Sequence, residues 1–197
     1  MNICLFAPIG GFGHHVRWMC LLDDQYKFEN YPTVESKLNF ILNHVYNRTI
    51  DDWLEKEDAY SNIDKRYIYF NHQLDRENRI VRLKNQKNCQ FFEYTKETKM
   101  VCCTMSPQLA LKEFSKIKPD LYNWTEQQFL ERIEVENDLS IQTKKFHNKF
   151  LLMNNDVLAD DVLDRDYYTK LIKFLDLDDN YESAATMHLK WRYIRCK

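Results

Sequence analysis

Glycine occurs three times in 197 residues, and all three copies fall in one octet, Pro8-Ile9-Gly10-Gly11-Phe12-Gly13-His14-His15. Before the octet comes a short apolar run, NICLFAP, of the kind that forms a strand buried on both faces of a parallel sheet. After it, Val16, Met19, Cys20 and Leu22 recur at helical spacing. The octet therefore joins a buried strand to a helix. Glycine there permits positive φ and lets the backbone approach a ligand, while the next helix offers N–H groups and a partial positive charge. Two readings follow: a cradle for an anion, most often phosphate, or a tight turn that needs glycine for its geometry alone. Because a glycine-poor chain concentrates its whole complement here, the cradle is the working expectation.

The strand and helix pattern recurs along the chain. Thr33 to Tyr46 carries apolar residues at 34, 38, 41, 42 and 45, a 3.6-residue rhythm. A helix is expected from Ile50 to Tyr60, with Thr49 as its cap. RYIYF (66–70), KMVCCT (99–104) and FLLMN (150–154) read as strands, and RIVRL with CQFFEY, flanking the polar turn KNQKN, as a hairpin or an excursion. Ser106-Pro107 opens a helix over QLALKEFSKI. Thr125 with Gln128 forms a capping box ahead of a helix to Asn137. Asp166 begins YYTKLIKFLDL, and a last helix runs from Tyr181 to Arg195. Buried strands alternating with helices predict an α/β fold, a sheet layered between helices in one domain spanning 1–197. In such sheets ligands sit beyond the carboxyl ends of the strands, where the octet lies.

Composition narrows the function. A formal net charge of −2 gives no basic field for a nucleic-acid backbone, so no nucleic-acid partner is expected. The longest apolar runs fall short of the 18 or so residues that span a bilayer, and the start has no leader pattern, so no membrane partner is expected. Six cysteines without CxxC spacing read as free thiols in a reducing cytoplasm. The abundance of Asn, Lys, Tyr and Ile is what an AT-rich genome, a viral one included, encodes. The octet matches neither GxxxxGK[ST] nor GxGxxG. Adjacent His14 and His15 diverge from a helix start, and the acidic run Asn154 to Asp166 lacks calcium-loop spacing, so no metal is expected. His44 and His188 read as structural, as do Trp18, Trp53, Trp124 and Trp191.

Three segments together resemble the sulfotransferases that use 3′-phosphoadenosine 5′-phosphosulfate. Ala7 to His14 looks like their Pro-Lys-Ser-Gly-Thr-Thr-Trp loop, which wraps the 5′-phosphosulfate. RYIYF-Asn71-His72-Gln73-Leu74 is similar to the strand ending Lys-Thr-His-Leu, with His72 on the catalytic base. The segment LLMNNDVLADDVLDRDYYTKLIKFLDLDDNYESA resembles the closing strand, acidic turn and helix of that family. The resemblance implies a three-layer, P-loop NTPase-like sandwich with a mainly parallel sheet of about four to five strands. It implies sulfuryl transfer to a hydroxyl or amine of a small molecule or glycan, leaving 3′-phosphoadenosine 5′-phosphate. His72 would be the base, and Ile9, Gly10, Gly11, Phe12, Gly13, His14, His15, Arg17 and Ser106 would hold the cofactor. Ile9 stands where the family has its loop Lys, so His14, His15 or Arg17 would replace it; Met105 and Glu113 fall on the Arg and Ser that hold the 3′-phosphate. The alternative is a non-catalytic binder of nucleotides or anions, or a protein-interaction module, on the same fold.

Overall fold

In a computed structural model the chain is described at residues 3–8, 10–24, 33–44, 68–71, 83–84, 91–92, 99–114, 124–145 and 148–195. The elements run β1 (Ile3–Phe6), α1 (Gly13–Leu21), α2 (Val34–His44), β2 (Ile68–Asn71), β3 (Leu83–Lys84), β4 (Phe91–Phe92), β5 (Lys99–Thr104), α3 (Pro107–Phe114), α4 (Glu126–Thr143), β6 (Phe150–Asn154), a 3-10 helix (Asn155–Ala159), α5 (Arg165–Leu175) and α6 (Tyr181–Arg195). Ile9, His72 and the helix expected over Ile50–Tyr60 lie outside the described residues.

The apolar runs that become strands of the main sheet are short, four to six residues each. β1, β2, β5 and β6 form one sheet in the order β2-β1-β5-β6, and every pairing in it is parallel. Phe6 is in register with Asn71 on one side and Cys102 on the other, so the ends of β1 and β2 lie level while β5 runs two residues further, to Thr104. Met100, Val101, Cys102 and Cys103 on β5 are all fully buried, which a strand covered on both faces requires. β3 and β4 pair antiparallel as a separate small hairpin.

The chain leaves β1 for β2 on one side, then returns across β1 to lay β5 on the other. The strand order thus reverses at β1 and β5, the kind of switch point at which open α/β sheets leave room for ligands.

α1 departs from the amphipathic helix its spacing implied. Every residue of it except His14 is buried, Arg17 included. The sheet covers one side, through β1 and β2, and Trp191 of α6 covers the other, stacking on His15. Its far end is closed by Lys37 of α2, whose buried ammonium donates to the Leu22 and Asp23 carbonyls at 3.3 and 2.5 Å. A cation there complements the negative end of the helix dipole. Among the described residues no helix is long and apolar enough to cross a membrane.

Candidate functional site

The connection from β1 to α1 is a tight turn. The Gly11 N–H donates to the Pro8 carbonyl at 2.8 Å, and Gly10 has φ 79, a conformation that L side chains adopt only with strain. At Gly11 a Cβ would stand 2.9 Å from the Pro8 carbonyl oxygen and 3.0 Å from its Cδ, inside van der Waals contact. Turn geometry therefore accounts for two of the three glycines, and the Gly11 amide is bound internally. Phe12 follows at φ 62, ψ 18, as the cap residue of α1.

A polar network holds this turn from below. Asn155, fully buried at the end of β6, donates its carboxamide N–H to the Gly11 carbonyl at 2.5 Å. Its carboxamide oxygen accepts from the Tyr167 hydroxyl at 2.7 Å. The same side chain bonds the Cys103 thiol, yet burial still pushes that thiol up to about 12. Burial also raises Tyr167 well above the ordinary phenol range, so both groups stay neutral and serve as hydrogen-bonding partners. The thiol of Cys20, raised by burial and by Cys103, is equally inert.

The opposite edge of the switch point is the start of α3. Its backbone donors are met by side chains: Met105 N–H donates to Asn137 Oδ1 at 3.1 Å, Ser106 N–H to Asp156 Oδ1 at 2.8 Å, and Leu109 N–H to Ser106 Oγ at 3.3 Å. Ser106 caps α3, and a carboxylate sits against its amide. The expected cofactor groups are thus divided. Gly10, Gly11, Phe12 and Gly13 form the turn and first residue of α1; His14 is half-buried beside them, whereas His15 and Arg17 are buried within the fold.

His15 is fixed by three contacts. Its Nε2 lies 2.8 Å from His188 Nδ1, its ring stacks on Trp191 with centroids 4.3 Å apart and planes 6° apart, and Trp18 meets its edge. Trp191 also receives Phe12 in a T-shaped contact at 5.1 Å. His188 in turn lies 2.8 Å from the Asp160 carbonyl through Nε2, and burial lowers its pKa. α6 therefore clamps the first turn of α1.

The acidic run Asn154 to Asp166 serves local structure. Asn154 caps the 3-10 helix and Asp164 caps α5 through the Tyr167 amide. Among the described residues no group of three or more His, Cys, Asp or Glu is placed to hold a metal ion. Asn155, Tyr167, Asn137 and Asp156 escaped the reading of the sequence; the only local sign was a pair of asparagines at the carboxyl end of a core strand.

Compared with models of known protein families the chain matches none, and no curated protein matches it in sequence.

Chemically, the site offers the amino-terminal end of α1, with no acidic residue in its first turn, flanked by His14. Such an end favours an anion.

Proposed function

We propose that the chain is a divergent sulfotransferase-like domain, three-layered and P-loop-like, that takes 3′-phosphoadenosine 5′-phosphosulfate beyond the carboxyl ends of β1 and β5. The acceptor is a hydroxyl or amine of a small molecule or glycan. The observation that carries this reading is the strand order: β1, which leads into the glycine turn and an acid-free helix start, is flanked by β2 and β5 at the point where the order reverses. Asn71, the residue before His72 in the sequence, is in register with Phe6, so the strand leading to the histidine ends beside the strand leading to the turn.

In this reaction the acceptor oxygen or nitrogen attacks sulfur while the bond from sulfur to the bridging phosphate oxygen breaks, and His72 takes the acceptor's proton, as a group of near-neutral pKa can. The leaving group is 3′-phosphoadenosine 5′-phosphate. Catalysis of this kind rests on in-line positioning and on stabilising charge at the leaving oxygen. With isoleucine at position 9, the first turn of α1 and His14 carry that second task.

A non-catalytic binder on the same fold is favoured by one observation, the internal bond of the Gly11 amide, which leaves the turn fewer donors for a leaving group. Calorimetric titration with 3′-phosphoadenosine 5′-phosphate tests both: saturable heat is expected, and its absence leaves an interaction scaffold. His72→Ala then separates them, because turnover should fall about 10²-fold or more in an enzyme while affinity holds.

A further inference from the structure

The buried histidine pair has a chemistry of its own, independent of any ligand at the glycine turn. His188 Nε2 lies against the Asp160 carbonyl oxygen at 2.8 Å, which accepts only, so Nε2 carries the proton and Nδ1 is a bare acceptor. His15 Nε2, 2.8 Å from that Nδ1, must then be the donor. In the neutral pair both Nε2 atoms are therefore the donors. The pair joins α1 to α6 at the two most buried imidazoles of the described residues, with exposures of 1% for His15 and 0% for His188.

We propose that His15 and His188 form a pH-operated latch, in which protonation of both rings breaks their hydrogen bond and releases α6 from the first turn of α1. A first proton leaves an imidazolium–imidazole bond in place; a second sets N–H against N–H across 2.8 Å. The pair already has a cation nearby, because the Arg192 guanidinium lies 5.9 Å from the centroid of the Trp191 ring on which His15 stacks. Burial of both rings opposes charge in the closed state, and the second proton also loses the bond.

The charged groups around the pair set the balance. Arg192, itself buried, opposes a second positive charge, whereas Asp160 and Asp161 favour one. Arg192 already has Asp161 at 3.8 Å. α1 brings His14 and Arg17. α2, which also packs on α6, brings exposed Glu35 and Lys37, the latter turned to the end of α1. Desolvation outweighs the two aspartates at His188, so its neutral form is the one that belongs to the folded state. The sign follows: the contribution of His188 is complete above the ordinary imidazole pKa and is lost as pH falls below it. What opens is the Trp191 face, which restrains Phe12 and His15 together.

Hydrogen exchange of the full chain, corrected for the intrinsic pH dependence of exchange, reads the latch directly. Protection of amides 181–195 should fall several-fold between pH 7.5 and pH 5, and by no more than about tenfold per pH unit for each proton taken up. His188→Gln, which keeps a donor for the Asp160 carbonyl without a titrating ring, should flatten that dependence. Equal pH dependence in the two proteins overturns the proposal. If His188→Gln does not fold, imidazole ¹⁵N spectra of the wild type decide: the shifts should show both rings neutral at pH 7.5 and both protonated as α6 loses protection, and protonation of both rings with α6 still protected overturns the latch.

Discussion

The Asn155 carboxamide donates to the Gly11 carbonyl across 144 residues of chain, and Tyr167 closes the same amide from the other side. Together they fix where the turn sits at the sheet edge. Replacing Asn155 by Leu strands the Gly11 carbonyl and the Tyr167 hydroxyl without a partner, and about 1–3 kcal/mol of stability should be lost. Tyr167→Phe should lose less, about 1 kcal/mol, and the double variant should be less destabilised than the sum. Urea unfolding of the four proteins measures this; strict additivity would show that the network is not one unit.

At the turn itself, Gly11→Ala and Gly10→Ala should both destabilise, for different reasons. Alanine at 11 drives a methyl onto Pro8 backbone, which cannot step aside without loss of the closing bond, so about 1–3 kcal/mol is expected. Alanine at 10 meets the positive φ, with a loss of about 1–2 kcal/mol. Chemical denaturation midpoints at constant slope give both numbers, and an unchanged midpoint for Gly11→Ala contradicts the close approach.

The thiols of Cys20, Cys102 and Cys103 are buried, and burial holds Cys103 up to about 12. Iodoacetamide should leave these three unmodified at pH 8 and label them at once in denaturant. Raising the pH from 7 to 10 should add little labelling at Cys103, because the thiolate forms only above that range. Peptide mapping by mass spectrometry follows each site, and rapid labelling of Cys103 in the native protein would refute its placement.

Thr125 accepts from the Gln128 amide at 3.2 Å while the Gln128 side chain accepts from the Thr125 amide at 2.9 Å. Thr125→Ala should lower stability by about 1 kcal/mol. Gln128→Ala removes only the return bond and should lose less. Thermal melts followed by circular dichroism are sufficient, and a reversed order would point away from the box.

Local signals carried much of the fold. KMVCCT and FLLMN are strands over the residues their apolar runs marked, the last helix spans Tyr181–Arg195, and the capping box starts α4 where Thr125 and Gln128 placed it. Leu83, the last residue of RIVRL, and Lys84, expected in the turn, pair antiparallel with Phe92 and Phe91 of CQFFEY; the rest of both segments lies outside the described residues. α4 continues past Asn137 to Thr143 because its buried face turns polar: Ser140 donates to the Cys103 carbonyl and Thr143 to that of Leu139, which hides the apolar period. α5 begins at Arg165, one residue early, since Asp164 is its cap. The site was half legible. The glycine turn announces itself in eight residues, but its partners Asn155 and Tyr167, and the Asp156 that meets Ser106, arrive from distant parts of the chain, and nothing local marks such encounters. For His15 and Arg17 the neighbouring sequence suggested an anion; both are buried, and His15 is covered by His188 and Trp191 of α6, far along the chain.

The clamp of Trp191 on His15 and Phe12 has a consequence for biosynthesis. A nascent chain emerging from the ribosome exposes the hydrophobic flank of α1 throughout translation of everything up to α6. That segment must wait, soluble or chaperoned, until Tyr181–Arg195 clears the exit tunnel, and a chain stopped before α6 leaves His15 and Phe12 without the Trp191 ring.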